Sequence, residues 1–214
     1  MRRAISKKMN QAKPGVPHFS YVEEVDVTDL EAMRREMNTK ADGGEKLSIL
    51  PFIMRALVLS VPEAPYVNAL YNGDRQEVHI YDEIRLGIAV ATDKGLMVPV
   101  IGNAQKKDVY EAAAAIRHVA EAARDGTASR DELVGSTMTL TSLGALGGIA
   151  STPVLNPPEV AIIGVNKVRT APVWNGEAFE PRQLMNLSCS FDHRIIDGQA
   201  AAKFVAAMKL SLIH

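Results

Sequence analysis

Alternating apolar and polar positions predict strands at several places along the chain. The segment from His18 to Thr28 alternates, although Glu23 falls on its apolar face. The segment from Asn186 to Asp192 alternates as well. Further strand-like runs, bounded by Gly, Asn and Pro, lie at residues 67–71, 77–81, 84–92, 96–100, 137–141 and 159–168. An Asn-Gly pair at 175–176 predicts a hairpin turn before the Asn186 strand.

Apolar residues at helical spacing predict helices between these strands. Thr28 and Glu31 have the spacing of a capping box, which predicts that a helix begins at Thr28. Asp108 is the predicted N-cap of an alanine-rich helix that ends before Gly126. The predicted helices cover residues 1–11, 28–39, 48–61, 109–125 and about 198 to the end. The last helix is expected to bury Ala201, Phe204, Val205, Met208 and Leu212.

The order of these elements indicates the fold class. Helices occur in both halves of the chain, and the strands cluster without the regular βαβ alternation of a doubly wound sheet. We therefore predict an α/β protein in which helices pack on a mixed β-sheet. The chain has 214 residues, 47% of them hydrophobic, which is enough for one globular domain with a sizeable core.

Charge and composition argue against several classes of function. The formal net charge of −1 gives no support for a nucleic-acid or membrane-surface role. The longest apolar runs, such as residues 160–165, are too short to span a bilayer. The basic N-terminus lacks the apolar stretch of a secretory signal. One cysteine and five histidines argue against a zinc site.

The single cysteine, Cys189, excludes an internal disulfide and points to a reducing compartment. It shares its predicted strand face with Leu187 and Phe191. We therefore expect Cys189 to be a buried core residue and not a nucleophile.

The main candidate for chemistry lies at the end of the Asn186 strand. His193 follows this strand directly, and Asp197 and Gly198 come four and five residues later. An imidazole has an ordinary pKa of about 6.5, so near neutral pH it can accept a proton from a thiol or hydroxyl. A structural interpretation fits equally well: a partly buried histidine bonded to a backbone carbonyl, with Asp197 capping the next helix. From these residues alone, both interpretations stay open.

The glycine-rich segment at residues 142–148 could border a ligand. It lacks the GK[ST] ending of a P-loop and the GxGxxG spacing of a dinucleotide site, so neither motif is supported. Its glycines instead favour the close approach of another backbone or of an extended ligand. Thr139 and Thr141 precede it on one strand face. Their hydroxyls could point into a cleft, or both could be ordinary strand residues.

Five segments together resemble a known family. They are PHFSYVEEVDVTDL (17–30), GLMVPVI (95–101), GSTMTLTSLGALGG (135–148), TPVLNPPEVAIIGV (152–165) and SFDHRIIDG (190–198). In this order they resemble the catalytic domain of dihydrolipoamide acyltransferases, the core component of 2-oxo acid dehydrogenase complexes. The HxxxDG motif alone would also fit chloramphenicol acetyltransferase, which has the same fold. The glycine-rich and NPPEVA segments are similar to the dihydrolipoamide family.

The resemblance implies a direct-transfer mechanism. His193 would be the general base for the thiol of dihydrolipoamide or, in the other direction, of coenzyme A. The thiolate would then attack the thioester carbonyl. A base is needed because a thiol with a pKa of about 8.5 is mostly protonated at pH 7. In the family, a hydroxyl in the strand before the glycine loop meets the oxyanion, which by register implies Thr141, with Ser142 as the alternative.

The resemblance assigns further roles to individual residues. Asp197 is similar to a family aspartate that makes a structural ion pair with an arginine near the N-terminus, here Arg2 or Arg3. This pair would orient the loop of His193 and would not transfer a proton. The residues expected to bind coenzyme A are Ser142, Gly144, Gly147 and Gly148.

The resemblance also implies an assembly. It implies a chloramphenicol acetyltransferase-like homotrimer with each active site between two subunits, so that His193 would face Thr141 of a neighbour. Such trimers would build a larger hollow core, with lipoyl domains and the dehydrogenase components as partners. Because family members carry upstream lipoyl and subunit-binding domains, we expect residues 1–214 to be a catalytic domain cut from a longer chain. The expected compartment is the bacterial cytoplasm or the mitochondrial matrix.

Two alternative functions fit parts of the pattern. One is a chloramphenicol-type O-acetyltransferase, and the other is a structural core component without activity. The intact His193, Thr141 and Asp197 favour an active enzyme. The sequence does not select between acetyl, succinyl and branched-chain acyl groups.

Overall fold

A mixed β-sheet forms the centre of the protein. The structure, a computed structural model, describes residues 16–41, 46–93 and 95–213. The strands are β1 (His18–Asp26), β2 (Ala69–Asn72), β3 (Glu77–Ile80), β4 (Leu86–Thr92), β5 (Gly95–Met97), β6 (Val100–Ile101), β7 (Met138–Ser142), β8 (Ala161–Val165), β9 (Arg169–Trp174) and β10 (Phe179–Asp192). The α-helices are α1 (Thr28–Lys40), α2 (Leu50–Ser60), α3 (Val109–Asp125) and α4 (Gly198–Ile213).

The main sheet combines parallel and antiparallel pairs. Its order is β1-β10-β8-β7-β4-β5, with β6 also on β4 and β9 also on β10. β7 runs parallel to β8 and β4, whereas β10 runs antiparallel to β1, β8 and β9. Strands β2 and β3 form a separate hairpin. The predicted mixed sheet with packed helices is therefore confirmed.

Helices α2, α3 and α4 supply one wall of the hydrophobic core. Helix α4 packs on α2 and β1, and α3 packs on α2 and β4. The predicted buried stripe of the last helix is confirmed in full, at Ala201, Phe204, Val205, Met208 and Leu212. Phe191 on β10 contacts Phe204 of this stripe, with the ring centroids 6.4 Å apart. Residues 187–192 of β10 are buried in succession, so both faces of the strand before His193 are covered.

The ends of α3 match the sequence prediction. The Asp108 carboxylate accepts the N–H of Glu111 at 2.8 Å, and the Glu111 carboxylate accepts the N–H of Asp108 at 2.9 Å. Gly126 follows the helix with a φ of 73°, in the left-handed region that favours glycine. Both signals therefore act as expected.

The predicted capping box at Thr28 is wrong. The α1 helix has no side-chain N-cap bond. The Thr28 hydroxyl instead donates to Asp26 Oδ1 at 2.5 Å and accepts the N–H of Gln183 at 2.8 Å. Glu31 turns away to bind Arg34, with Nη2 to Oε2 at 2.7 Å. Asp26 on β1 and Gln183 on β10 therefore bind the Thr28 hydroxyl in place of the predicted cap.

Two further strand boundaries differ from the prediction. The run at residues 96–100 divides into the short strands β5 and β6, both paired with β4. β10 begins at Phe179 and not at Asn186, because its first half pairs with β9 across the predicted Asn-Gly hairpin. The predicted helix at residues 1–11 lies outside the described residues.

Candidate active site

His193 lies immediately after β10, at the surface of the chain. Its backbone N–H donates to the Pro17 carbonyl at 2.9 Å. Its ring centroid lies 4.6 Å from that of Phe19, and the side chain is otherwise exposed. The buried strand therefore presents an imidazole to the exterior, where a substrate or a second protein copy can reach it.

An ion pair joins the two neighbours of His193, with a buried aspartate and a partly exposed arginine. Asp192 is 2% exposed, and Arg194 Nη2 lies 2.6 Å from its Oδ2. The Arg194 guanidinium carbon lies 4.4 Å from the centre of the Tyr71 ring. Sequence reasoning missed this pair, although the Asp-His-Arg triplet carried the signal: opposite charges on both sides of the candidate base.

Asp197 caps the helix that follows. Its Oδ1 accepts the N–H of Ala200 at 2.7 Å, and its carbonyl accepts the N–H of Ala201 at 3.0 Å. This is the capping role that the sequence left open as the structural interpretation. The predicted partners Arg2 and Arg3 lie outside the described residues, so their ion pair with Asp197 stays a prediction.

Thr141 and Ser142 end β7, where the glycine-rich loop begins. Both side chains are partly exposed. The Ser142 hydroxyl accepts the N–H of Gly144 at 3.1 Å, so it closes a local turn. Gly144 has a φ of +54°, and a Cβ on the buried Gly147 would lie 3.1 Å from the Gly144 carbonyl. The glycines are therefore explained by a tight loop, and contact with coenzyme A stays a prediction.

Within one chain, the structure does not bring Thr141 and His193 together. Thr141 pairs with Gly164 on β8, and Gly164 pairs with Ser188 on β10. His193 lies five residues beyond Ser188. At about 3.3 Å per residue and about 4.8 Å between strands, the two backbones lie roughly 19 Å apart. Proton transfer to or from a shared group needs contacts of about 3 Å.

A buried carboxylate lies beside Thr139, the other threonine of this strand face. Glu159 is 2% exposed, and its Oε2 accepts the Thr139 hydroxyl at 2.6 Å. Its Oε1 accepts Asn156 Nδ2 at 2.6 Å and the Ser136 hydroxyl. The Thr139 hydroxyl therefore donates its proton to a structural partner, Glu159, and not to a substrate.

A cavity borders this carboxylate. It has a volume of about 560 Å³. Its walls are the residues Leu70, Leu96, Met97, Val98, Leu133, Val134, Gly135, Ser136, Asn156, Pro157, Pro158 and Glu159. Most of these residues are apolar, so the cavity can take an apolar group.

Cys189 is confirmed as a core residue. It is 0% exposed, and burial raises the pKa of its thiol to about 12. A thiol with such a pKa is protonated at pH 7 and does not act as a nucleophile.

We expect Cys189→Ala to keep its turnover rate and to lose about 1 kcal/mol of unfolding free energy, as for a small truncation in a core. Turnover and a denaturant titration on the same preparation measure the two effects. An acyl group trapped on Cys189 would contradict this expectation and the direct-transfer mechanism.

Among residues 16–41, 46–93 and 95–213, no three His, Cys, Asp or Glu side chains are grouped to hold a metal ion. None of the described helices has the length and apolar character needed to cross a membrane.

The chain is similar to known proteins over its whole length. The family model for the 2-oxoacid dehydrogenases acyltransferase catalytic domain matches residues 1–214. A lipoamide acyltransferase component of a branched-chain alpha-keto acid dehydrogenase complex, from Pseudomonas aeruginosa, is 50% identical over 215 residues, covering 100% of this chain and 50% of that protein. A dihydrolipoyllysine-residue acetyltransferase component from Azotobacter vinelandii is 42% identical over 190 residues, or 88% of this chain and 30% of that protein. The chain thus spans about half the length, or less, of these curated relatives.

Solved structures agree with the sequence comparison. The dihydrolipoamide acetyltransferase of Azotobacter vinelandii superposes with a TM-score of 0.93 at 37% identity, covering 99% of this chain and 87% of that one. A chloramphenicol acetyltransferase superposes with a TM-score of 0.60 at 15% identity, covering 92% of this chain and 89% of that one. The second likeness shows a shared fold alone, and it confirms the predicted fold class.

Proposed function

This chain belongs to the family of 2-oxoacid dehydrogenase acyltransferase catalytic domains, and from that membership we propose that it transfers an acyl group between dihydrolipoamide and coenzyme A. The observation that carries the proposal is the presentation of His193. A strand anchored in the core ends in an exposed imidazole with a fixed backbone. That arrangement suits a base that must meet a substrate thiol.

In the proposed reaction, His193 takes the proton of the attacking thiol. The thiolate adds to the thioester carbonyl and forms a tetrahedral oxyanion, which a hydroxyl donor stabilises. Collapse of this intermediate breaks the old carbon–sulfur bond. The leaving thiolate recovers the proton from His193, so the base is restored at the end of each turnover.

We assign the oxyanion donor to Thr141 of a neighbouring copy. The separation of roughly 19 Å within one chain supports a site made from two copies, because neither residue can reach the other alone. A closed ring of identical head-to-tail interfaces would repeat this site, and a homotrimer is the ring that we propose. Asp197 then acts through the helix cap and not on the substrate.

A solved relative supports the same residue set. The Azotobacter vinelandii structure belongs to investigations on the role of a serine, a histidine and an asparagine in the catalytic mechanism of that enzyme. There the histidine follows the serine by 52 positions and precedes the asparagine by four. The same spacing around His193 falls on Thr141, which keeps a hydroxyl, and on Asp197.

The proposed substrates and partners follow from the reaction. Coenzyme A would bind beside the loop at residues 142–148, and the lipoyl group would arrive on a separate domain. One solved relative is the cubic core of a pyruvate dehydrogenase complex. We propose a comparable hollow core here, in a bacterial cytoplasm, with the dehydrogenase components as partners.

An acceptor test separates this function from its alternatives. Purified protein is mixed with an acyl-coenzyme A and either free dihydrolipoamide or chloramphenicol, and thioester or ester product is measured. We expect product with dihydrolipoamide only. Product with chloramphenicol alone would favour the drug acetyltransferase, and none with either would favour an inactive scaffold.

The cavity indicates which acyl groups fit. Gly87 on β4 pairs with Thr139, and a Cβ there would lie 2.8 Å from Val98 Cγ1 and 3.2 Å from Ser136 Cβ. The cavity wall thus lies over Thr139, which shares a strand face with Thr141 about 7 Å away. An acyl chain whose carbonyl lies at Thr141 can extend toward this space.

The walls of the cavity favour an uncharged, apolar chain. Most are hydrocarbon, and none of the described lining residues is cationic. A succinyl carboxylate would lose hydration there without a charged partner. An acetyl group is too short to use the space. We therefore propose branched-chain acyl groups as the preferred substrates, as in the name of the Pseudomonas aeruginosa relative.

We expect Val98→Phe to lower kcat/KM for isovaleryl-coenzyme A by about 10-fold or more relative to acetyl-coenzyme A, because a phenyl ring is larger than the valine side chain and fills the cavity. A panel of acyl-coenzyme A donors measures the ratio. Val173→Phe, on β9 away from the cavity, is the control and should leave it unchanged. Equal losses for both donors would contradict the assignment of the cavity. If wild-type protein turns over none of the acyl-coenzyme A donors, the proposed function itself is contradicted.

A further inference from the structure

The buried residue Asp192 holds the backbone on both sides of His193. Asp192 is bonded to the sheet through its N–H, which donates to the Val160 carbonyl at 3.0 Å. Its own carbonyl accepts the N–H groups of Ile195 and Ile196 at 3.0 and 2.9 Å. Asp192 therefore defines where the strand ends and the turn that carries His193 begins.

The Asp192 side chain reaches across that turn to Arg194. Arg194 Nε lies 2.9 Å from Oδ1, and Nη2 lies 2.6 Å from Oδ2, so the contact is bidentate. The backbone N–H of Arg194 also donates to Oδ1, at 3.1 Å. These bonds raise the pKa of Arg194 and keep its guanidinium charged. The residues before and after His193 are thus tied to each other directly.

Tyr71 on β2 also contacts Arg194. Its guanidinium carbon lies 4.4 Å from the centre of the Tyr71 ring, within the range of a cation–π contact. Tyr71 is fixed in turn, since its N–H donates to the Pro158 carbonyl at 2.9 Å. The Arg194 side chain therefore has few alternative positions. Because Arg194 directly follows His193, the turn that carries His193 is restricted as well.

We propose that the Asp192–Arg194 pair is a positioning device that fixes the orientation of His193. The inference rests on the proposed role of His193 as the base. With the flanking residues clamped together on one side, the His193 backbone is held against Pro17 and its ring against Phe19. The Arg194 side chain is 34% exposed, and an ion pair that is open to solvent adds little net stability, so a geometric role accounts better for a charged pair at this place.

The chain offers a matched control for the experiment. Asp26 and Arg182 form a similar pair, with Nε and Oδ2 2.7 Å apart. This pair lies near the other end of β10, where Asp26 pairs with Leu184, eight residues from Asp192 and roughly 26 Å away along the strand. Its loss can affect folding but cannot reorient His193.

The test compares Asp192→Asn with Asp26→Asn in steady-state kinetics, with thermal unfolding measured on the same samples. Asparagine keeps the shape of the side chain and one acceptor oxygen. We expect Asp192→Asn to lower kcat by about 10- to 100-fold with little change in KM, because a misplaced base loses rate and not binding. Asp26→Asn should keep its kcat. Arg194→Lys, which keeps the charge but loses the fork, should fall between wild type and Arg194→Met.

A double-mutant cycle with His193→Ala separates an effect on the position of His193 from a general loss of structure. In the His193→Ala background, Asp192→Asn should cause no further loss of the residual rate, since no base remains to be positioned. The proposal is overturned if Asp192→Asn keeps more than half of wild-type kcat, or if it lowers the rate equally in both backgrounds. Should Asp192→Asn fail to fold, the Arg194→Lys and Arg194→Met variants decide by the same criteria. A His193→Ala variant with wild-type turnover would instead contradict the proposed function.

Discussion

His193→Ala is expected to lower kcat by about 10²- to 10⁴-fold, the usual contribution of a positioned general base. The thiol of either substrate must lose its proton before attack, and at pH 7 it is mostly protonated. His193 is the exposed imidazole at the end of the anchored strand β10. Initial rates of acyl transfer to free dihydrolipoamide measure the loss.

The control for this variant is ligand binding. Since the imidazole acts on the proton and not on the body of the substrate, coenzyme A should bind to His193→Ala with nearly wild-type affinity in calorimetry. His118→Ala is a matched substitution of an exposed histidine on α3, bonded to Glu132, and it should keep full turnover. A His193→Ala variant that retains more than a tenth of the wild-type rate would rule out this role.

Thr141→Ala should lower kcat by about 10²- to 10³-fold, or roughly 3–4 kcal/mol, with little change in KM for either substrate. The hydroxyl is assigned to an oxyanion that forms during the reaction, so its loss spares ground-state binding. Thr141→Ser keeps the donor and should remain active. Thr141→Val keeps the shape, removes the donor and should be as slow as Thr141→Ala.

Ser142→Ala distinguishes the neighbouring hydroxyl. Ser142 accepts the N–H of Gly144, so its loss should loosen the glycine-rich loop and raise KM for coenzyme A more than it lowers kcat. If Ser142→Ala loses kcat while Thr141→Ala does not, the oxyanion donor is Ser142.

Local patterns in the sequence were sufficient where burial decides the structure. The stripe of α4, the cap at Asp108 and the burial of Cys189 all follow from spacing, because each element presents one apolar face to the same core. The mixed sheet followed from the same alternation. These features depend on local spacing and on burial, and not on which distant residue a polar group bonds.

Patterns failed where distant residues compete for the same group. Thr28 has the spacing of a cap, yet its hydroxyl donates to Asp26 at the end of β1 and accepts the N–H of Gln183 on the neighbouring strand β10. The Asp192–Arg194 pair was missed because adjacent charges in a sequence are usually solvated, and only the buried position of Asp192 makes them a clamp. A single chain also cannot reveal how Thr141 and His193 meet, since they lie at opposite ends of the sheet.

Mixing two inactive variants tests the shared site most directly. His193→Ala and Thr141→Ala chains are unfolded together, reassembled and assayed for acyl transfer. If each site takes His193 from one copy and Thr141 from the next, a random equal mixture in a closed ring restores about a quarter of the sites. We predict activity near a quarter of wild type, far above either parent. Reassembled mixtures no more active than the parents would contradict a site built from His193 and Thr141 of two copies.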